Sequence, residues 1–165
     1  MEEIKVNLDN LTNEERETLL KLVEKGNKQV KRWRGKKNDT YYSIAGNGCS
    51  VDAVESETAY DDNYYRFGNY FKTIDEAIFA REKQYVYQKL KDYALEHNTE
   101  AIDLNNPNQS KWLIKYDSSD KEIRYCWTST IFINQAYFTS EEIARAAVKE
   151  VGEDKIIRYL FGIEV

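Results

Sequence analysis

The sequence predicts an α+β fold in which an N-terminal helix precedes two hairpin-strand-helix units with antiparallel sheet. The first observation is a near-repeat, because "GNYFKTIDEAIFAREK" at 68–83 aligns without a gap with "QAYFTSEEIARAAVKE" at 135–150. The second is that each copy follows two short runs rich in aromatic and β-branched residues, which is the pattern of a β-hairpin. One such unit would leave a sheet edge uncovered and have little core, so two copies can share the burial of helix against sheet.

The near-repeat has a local physical meaning. Each copy reads as an aromatic strand end, a hydroxyl residue suited to a helix N-cap, acids in the first turn, and alanines that let the helix lie close to a sheet. Capping boxes at Thr73–Glu76 and Thr139–Glu142 mark the two helix starts, so the second helix begins at either Thr139 or Ser140. The matched pairs are Tyr70-Phe71 with Tyr137-Phe138, Thr73 with Ser140, Asp75 with Glu142, Ala77 with Ala144, and Ala80 with Ala147.

The chain is predicted to form four segments packed as one domain. Residues 1–38 hold an N-terminal helix and a basic segment, and residues 39–98 form the first unit. Residues 99–110 are a connector rich in asparagine, and residues 111–165 form the second unit. The length suits a single domain or two small halves packed together.

The N-terminal helix is predicted over residues 12–25. A capping box at Thr12–Glu15 marks its start, and Gly26 is suited to its end. Its apolar stripe is predicted to contain Leu19, Leu20, Leu22 and Val23.

The remaining elements follow from turn residues and hydrophobic spacing. The first unit is predicted as strands 40–45 and 48–54 around the turn Gly46-Asn47-Gly48, a polar acidic loop 55–66, a short strand 67–71, and a long helix 74–98. The second is predicted as strands 111–117 and 121–128, an extended stretch 130–138, a helix 140–151 interrupted by Gly152, and then either one helical turn plus a strand or a continued helix over 153–165.

Bulk properties exclude several classes of protein. The net charge of -5 and the pI of about 5.1 disfavour a general DNA-coating protein, which usually carries a basic domain. No apolar run approaches the roughly 20 residues that a bilayer-spanning helix needs, and "MEEIKVNLDN" does not resemble a secretory signal. Cys49 and Cys126 are too few for a disulfide scaffold. We expect free thiols in a cytoplasmic protein.

A basic stretch, "KQVKRWRGKK" at 28–37, holds six cations and no acid. Cations interleaved with an aromatic ring can neutralise phosphates and stack on a base, or they can dock on an acidic surface of a partner protein. The alternative is a solvated linker whose tryptophan packs on the sheet. The candidate binding residues are Lys31, Arg32, Trp33, Arg34, Lys36 and Lys37, preceded by Lys28.

An acidic stretch follows, since residues 39–65 hold six acids and no base. Spaced carboxylates beside tyrosines can imitate a phosphate backbone, occupy a nucleic-acid channel and speed the encounter by electrostatic steering. A solvated acidic loop, or simple neutralisation of the basic stretch, are the alternatives. The candidate partner-binding residues are Asp52, Glu55, Glu57, Asp61 and Asp62.

The sequence predicts no catalytic residue, no cofactor and no metal site. The one histidine, His97, lies near the predicted C-terminal end of a helix, where a protonated imidazole interacts favourably with the helix dipole. No phosphate loop, dinucleotide fingerprint or zinc-ligand spacing is present. A nuclease that uses Asp61 and Asp62 is the remaining enzymatic alternative.

The motif "YRFGNYFKTIDEAIFAREK", preceded by the tyrosine-rich hairpin, resembles a family of small proteins from phages, prophages and integrated elements of low-GC Gram-positive bacteria. The resemblance extends from Tyr41 to the C-terminus and concerns structure rather than chemistry. It implies an accessory protein of a mobile element, a class that includes anti-CRISPR proteins. The motif positions are Gly68, Asn69, Phe71, Lys72, Thr73, Asp75, Glu76 and Ala77.

We therefore expect a non-enzymatic protein, in the cytoplasm of a bacterial host, that inhibits a host defence protein by occluding a functional surface. A CRISPR effector nuclease is the first candidate partner, with the two charged stretches as the electrostatic parts of the contact and Trp33 and exposed tyrosines as anchors. One alternative is a DNA- or RNA-binding protein or nuclease that uses the basic stretch. Another is a homodimeric structural accessory protein.

Overall fold

A computed structural model describes residues 11–26 and 32–164 and confirms the α+β class. The chain divides into two compact units, residues 1–34 and residues 35–165. The elements are α1 (Asn13–Gly26), β1 (Thr40–Ile44), β2 (Ser50–Val54), α2 (Ala59–Arg66), α3 (Ile74–His97), β3 (Lys111–Asp117), β4 (Glu122–Thr128), α4 (Glu141–Val151) and α5 (Glu153–Lys155), which continues into a π-helical turn (Ile156–Leu160).

In the first compact unit, helix α1 begins as the capping box predicts. The Thr12 N–H donates to the Glu15 carboxylate at 2.8 Å, and the Glu15 N–H donates to the Thr12 hydroxyl at 3.4 Å. Leu20 and Leu22 of the predicted apolar stripe are exposed. The side chain of Val23 lies outside the described residues.

Both predicted hairpins form in the second compact unit. β1 pairs antiparallel with β2, with Tyr42 opposite Asp52, and the loop closes through the Ala45 N–H, which donates to the Cys49 carbonyl at 2.8 Å. β3 pairs antiparallel with β4, with Ile114 opposite Tyr125. Among the described residues these remain two separate two-stranded sheets and do not join.

The near-repeat corresponds to a repeated three-dimensional contact. Phe71, just before α3, exchanges two backbone hydrogen bonds with Tyr42 of β1, both at 2.9 Å. Phe138, just before α4, does the same with Trp112 of β3, at 2.8 and 2.9 Å. The backbone of each of these two phenylalanines thus links the segment just before a helix to the first strand of the preceding hairpin.

The helix caps are also repeated. The Thr73 hydroxyl accepts from the Glu76 N–H at 3.2 Å, and the Ser140 hydroxyl accepts from the Ile143 N–H at 3.3 Å, so Ser140 is the N-cap of α4. The first box is not fully reciprocal, because the Glu76 carboxylate accepts from the Lys72 N–H instead of the Thr73 N–H.

At each copy of the near-repeat, an asparagine side chain forms two hydrogen bonds with the backbone of another segment. The Asn69 amide donates to the Ile44 carbonyl at 2.8 Å, and its oxygen accepts from the Ile44 N–H at 2.7 Å, as a neighbouring strand residue would. Asn98, at the end of α3, likewise donates to the Tyr137 carbonyl at 3.0 Å and accepts from the Thr139 N–H at 2.9 Å. The asparagine of the Gly-Asn motif is therefore a structural residue.

Helix α3 packs against elements of both the first and the second hairpin-helix copy. Near its start Ala77 is fully buried, and the helix packs against β1 and β2. It also packs against α4 and the π-helical turn, and the Phe79 ring, in the second turn of α3, lies 5.5 Å from the Tyr159 ring of that turn. The main core consists of Val86, Leu90, Ala94, Ile114, Ile123, Ala136, Phe138, Ala144, Ala147, Val148, Val151, Ile156 and Ile157.

Three predictions of local structure are wrong. The predicted acidic loop 55–66 contains helix α2. The predicted extended segments 67–71 and 130–138 form no strand and make only the single bridges at Phe71 and Phe138, because the helix cap follows each bridge within two residues. Of the two alternatives predicted for 153–165, the continued helix is the one that forms: after Gly152, which has φ +101° at the end of α4, residues 153–160 are helical and residues 161–164 form no strand.

Candidate partner-binding surface

Two stacked tyrosines lie beneath helix α2. The rings of Tyr41 and Tyr70 are 3.9 Å apart between centroids and are inclined by only 12°. Both side chains are buried, and each phenol donates to a carboxylate at 2.9 Å: Tyr41 to Asp61, and Tyr70 to Glu55. The pair therefore joins β1 and the segment before α3 to the two acids that flank the start of α2.

The Asp61 carboxylate fixes the first turn of α2. It accepts from the Thr58 N–H at 2.9 Å, the Thr58 hydroxyl at 2.7 Å, the Ser56 N–H at 3.1 Å and the Tyr41 phenol. Burial raises the pKa of the Asp61 carboxyl, but the hydrogen bonds from Thr58, Tyr41 and Ser56 outweigh burial and lower the pKa to about 2. Burial also raises the pKa of the Tyr41 phenol, and the bond to Asp61 raises it further.

The position of Glu55 and Asp61 corrects the predicted acidic surface. Glu55 is 1% exposed and Asp61 is 4% exposed, so neither can meet a partner as a solvated acid. One Glu55 oxygen accepts from Tyr70, and the other accepts from the Glu57 N–H at 2.9 Å. Their physical role is to satisfy buried phenols and backbone amides, since a buried carboxylate requires such donors.

Helix α2 and its C-cap residue carry three aromatic side chains at helical spacing, and two of them are exposed. Tyr60 is 78% exposed and the C-cap residue Phe67 is 80% exposed, whereas Tyr64 between them is half-buried, with its ring centroid 6.3 Å from that of Tyr41. Together with Asn63 and Asn69 these rings line a shallow depression of about 210 Å³. We call Tyr60, Tyr64 and Phe67 the α2 aromatic face.

The other predicted acids are exposed. Asp52 lies on β2, Asp62 lies in the first turn of α2, and Glu57 precedes α2. Glu57 is 3.8 Å from the ammonium of Lys37, with both side chains largely in solvent. The alternative in which the charged stretches neutralise each other is thus represented by the Lys37–Glu57 pair, a surface contact whose energetic contribution is small.

The basic stretch spans both compact units. Lys28 and Lys31 lie outside the described residues. In the first unit Arg32 and Arg34 are exposed and Trp33 is half-buried. At the start of the second unit Lys36 and Lys37 are exposed, and the Lys36 N–H donates to the Asp39 carboxylate at 2.7 Å.

Other ionisable side chains occupy structural positions. His97 stacks on Tyr93 at 3.9 Å in the last turn of α3, and its Nδ1 lies 3.0 Å from the Tyr93 carbonyl oxygen. Lys111 is buried, and its ammonium donates to the carbonyls of Asn106 and Gln109 in the connector. Among residues 11–26 and 32–164, no three His, Cys, Asp or Glu side chains come together in a way that could hold a metal ion.

None of the helices in the described part of the chain has both the length and the apolar character required to cross a bilayer.

Sequence reasoning missed the α2 aromatic face, although two signals were present. Thr58 and Asp61 are spaced as an N-cap and its third helical residue. Tyr60, Tyr64 and Phe67 follow at helical spacing. The high density of acids and tyrosines suggested a loop, because none of the tyrosines could be assigned to core or solvent from the sequence.

Comparison of the chain with family models, with curated proteins and with solved structures gives no match.

Proposed function

We propose that this chain is a non-enzymatic binding protein that engages a partner protein through the α2 aromatic face. The observation that carries the proposal is the exposure of Tyr60 and Phe67, about four-fifths in solvent, at the two ends of a short helix whose first turn is fixed by the buried carboxylate of Asp61. Tyrosine and phenylalanine give a contact much apolar area for few rotatable bonds, which is why aromatic residues often dominate interface energies.

The hydrogen bonds that hold α2 in the folded protein favour tight association. Asp61 and Tyr41 fix the buried side of α2 before any partner arrives, so binding does not have to order the backbone. An interface that is already ordered loses less conformational entropy on association. Exposed Asp52 and Asp62 add negative charge to this part of the unit, beside Glu57 in its pair with Lys37, and negative charge favours a basic partner surface.

The partner class follows from the family resemblance and this charge. We propose an accessory protein of a phage or mobile element that inhibits a host defence protein in the bacterial cytoplasm, with a CRISPR effector nuclease as the first target to test. Such a nuclease holds nucleic acid in a positively charged channel, and an aromatic and acidic surface is suited to occlude it. The inhibitor would act by covering the channel, without chemical change to either protein.

The test is a titration of guided DNA cleavage by a purified Cas9-type effector, with this protein added from below to above one equivalent. Inhibition complete near one equivalent supports occlusion. Inhibition far below one equivalent indicates turnover and would support the nuclease alternative instead. Absence of inhibition at every ratio removes this target class.

Variants locate the contact. Tyr60→Ala combined with Phe67→Ala should weaken inhibition at least about tenfold, because two anchor side chains are lost. Tyr85→Ala, which removes an exposed aromatic side chain from α3 instead, is the matched control and should inhibit like the wild type. If Arg32→Glu with Arg34→Glu abolishes inhibition while the α2 variant does not, the α2 aromatic face is not the contact.

A further inference from the structure

A second exposed apolar feature lies at the other end of the second compact unit, where the last turns of α3 meet the connector. A groove of about 610 Å³ runs there, and its wall includes Leu95, which is 80% exposed and is the most exposed large apolar side chain on α3. The groove is otherwise formed by Lys91, Ala94, Asn98, Glu100, Ala101, Ile102, Leu104, Gln135, Ala136 and Tyr137. None of these residues belongs to the α2 aromatic face.

The groove has a shape that suits a protruding aliphatic side chain. Alanines at positions 94, 101 and 136 leave space where longer side chains would fill it, and Leu104 adds a partly exposed apolar edge. The 131–133 segment extends this surface, because the Phe132 N–H donates to the Tyr137 phenol at 2.5 Å and Ile133 is almost fully exposed. Leu95, Leu104 and Ile133 are thus large apolar side chains that face solvent in and beside the groove.

The charged residues of the groove show which occupant fits. Lys91 lies about 10 Å along the helix from Asn98, at 1.5 Å per residue, and Glu100 follows just beyond the helix end. The groove wall therefore carries one cation, Lys91, and one anion, Glu100, and Leu95 lies midway between them in the sequence. The Lys91 ammonium also lies 5.6 Å from the centroid of the Tyr87 ring, a contact that leaves its charge in place.

We propose that the occupant is the same groove of a second copy of this chain, in a two-fold antiparallel contact. In an isologous contact, residue i of one copy meets residue j of the other, and j meets i. Lys91 of each copy then faces Glu100 of the other, and the two Leu95 side chains meet near the two-fold axis. Each Leu95 thereby enters the alanine-lined part of the other copy's groove. The proposal does not depend on the function proposed for the α2 aromatic face.

The first measurement is the molar mass by sedimentation equilibrium, from low micromolar concentration to the solubility limit. The expected result is a concentration-dependent rise from 19.4 kDa toward twice that mass. Leu95→Glu should weaken the dimer at least about tenfold, because it places two charges at the axis where apolar surface is buried. Tyr85→Glu, an equally drastic change at another exposed position on α3, is the matched control and should leave the dimer unchanged.

The second measurement tests the antiparallel arrangement by charge exchange. Lys91→Glu alone and Glu100→Lys alone should each weaken self-association, since each sets like charges against each other twice. An equimolar mixture of the two variants should associate again, because every cross-contact then pairs Glu with Lys. Circular dichroism should show that all variants retain the helical content of the wild type.

Three results would overturn the proposal. The first is a wild-type chain that stays at 19.4 kDa throughout. The second is a dimer that Leu95→Glu leaves intact, which would place the contact elsewhere. The third is a mixture of the two charge variants that does not recover. A monomer that binds an apolar dye through Leu95 would assign the groove to a different occupant.

Discussion

The phenol of Tyr41 donates to the carboxylate of Asp61 at 2.9 Å, across 20 residues of sequence, with both side chains buried. This contact links the first strand of the first hairpin to the first turn of α2. Its consequence is that a helix of only eight residues, which would be unstable in isolation, presents a fixed aromatic face to solvent.

The Tyr41–Asp61 hydrogen bond should give a measurable coupling energy in a double-mutant cycle. Tyr41→Phe and Asp61→Asn should each lower the free energy of unfolding by about 1–3 kcal/mol, because each leaves a buried polar group without its partner. The double variant should lose less than the sum of the two, and urea unfolding of all four proteins measures the difference. Tyr85→Phe, at an exposed phenol, is the control. Strict additivity would mean that the hydrogen bond adds nothing to stability.

Asp61 should also make stability depend on pH. Its pKa is lowered from the ordinary value of 3.8 to about 2 in the folded protein, so its contribution is fully present above pH 3.8 and is lost as pH falls toward 2. The stability difference between the wild type and Asp61→Asn should therefore shrink over this interval, as followed by urea midpoints. A difference that stays constant to pH 2 would contradict the lowered pKa.

The two asparagine contacts should respond alike to an isosteric change. Asn69→Asp replaces the amide donor to the Ile44 carbonyl by a carboxylate oxygen, and Asn98→Asp does the same opposite the Tyr137 carbonyl. Each change sets two acceptors against each other, so each should cost about 1–3 kcal/mol in the free energy of unfolding above pH 5. Asn63→Asp, on the exposed side of α2, should change it by less than about 0.5 kcal/mol. An effect in only one copy would show that the two contacts are not equivalent.

The aligned alanines of the near-repeat should tolerate no enlargement. Ala77 and Ala144 are both 0% exposed, each in the first turn of its helix. Leucine at either position should lower the free energy of unfolding by about 1–3 kcal/mol, because overpacking forces the helix away from its neighbours. Ala146→Leu, at an exposed position of α4, is the matched control, and thermal unfolding measures all three. Equal stability of the three variants would mean that the close packing is not required.

Local sequence signals predicted the elements whose residues interact with near neighbours. The side-chain hydroxyl of each N-cap residue accepts a hydrogen bond from the backbone N–H three residues later, as at Thr12, Thr73 and Ser140. Both partners therefore lie within four consecutive residues of the sequence. The same holds for the hairpins, where turn residues and alternating side chains mark the strands. The bounds of the long helix differ by only one residue from those predicted, at Asn98.

The failed prediction of solvated acids depended on distant partners, whereas the failed strands depended on the helix caps that follow them. Glu55 and Asp61 were predicted to be solvated acids. Nothing near them in the sequence indicates that the phenols of Tyr70 and Tyr41 donate hydrogen bonds to them. Phe71 and Phe138 read as strand residues because their aromatic character fits a sheet. Whether pairing extends past one residue depends on where each helix cap begins.

Local sequence was enough to predict the repeated order of hairpin and capped helix, because backbone preferences and capping hydrogen bonds act over three or four residues. Which acids and aromatic rings are buried, and which face solvent, depends instead on contacts between segments that are far apart in the sequence. Burial of a carboxylate depends on donors that folding brings from 15 or 20 residues away, as Tyr70 and Tyr41 do for Glu55 and Asp61. The exposure of Tyr60, Phe67 and Leu95, on which both proposals rest, was decided in the same way.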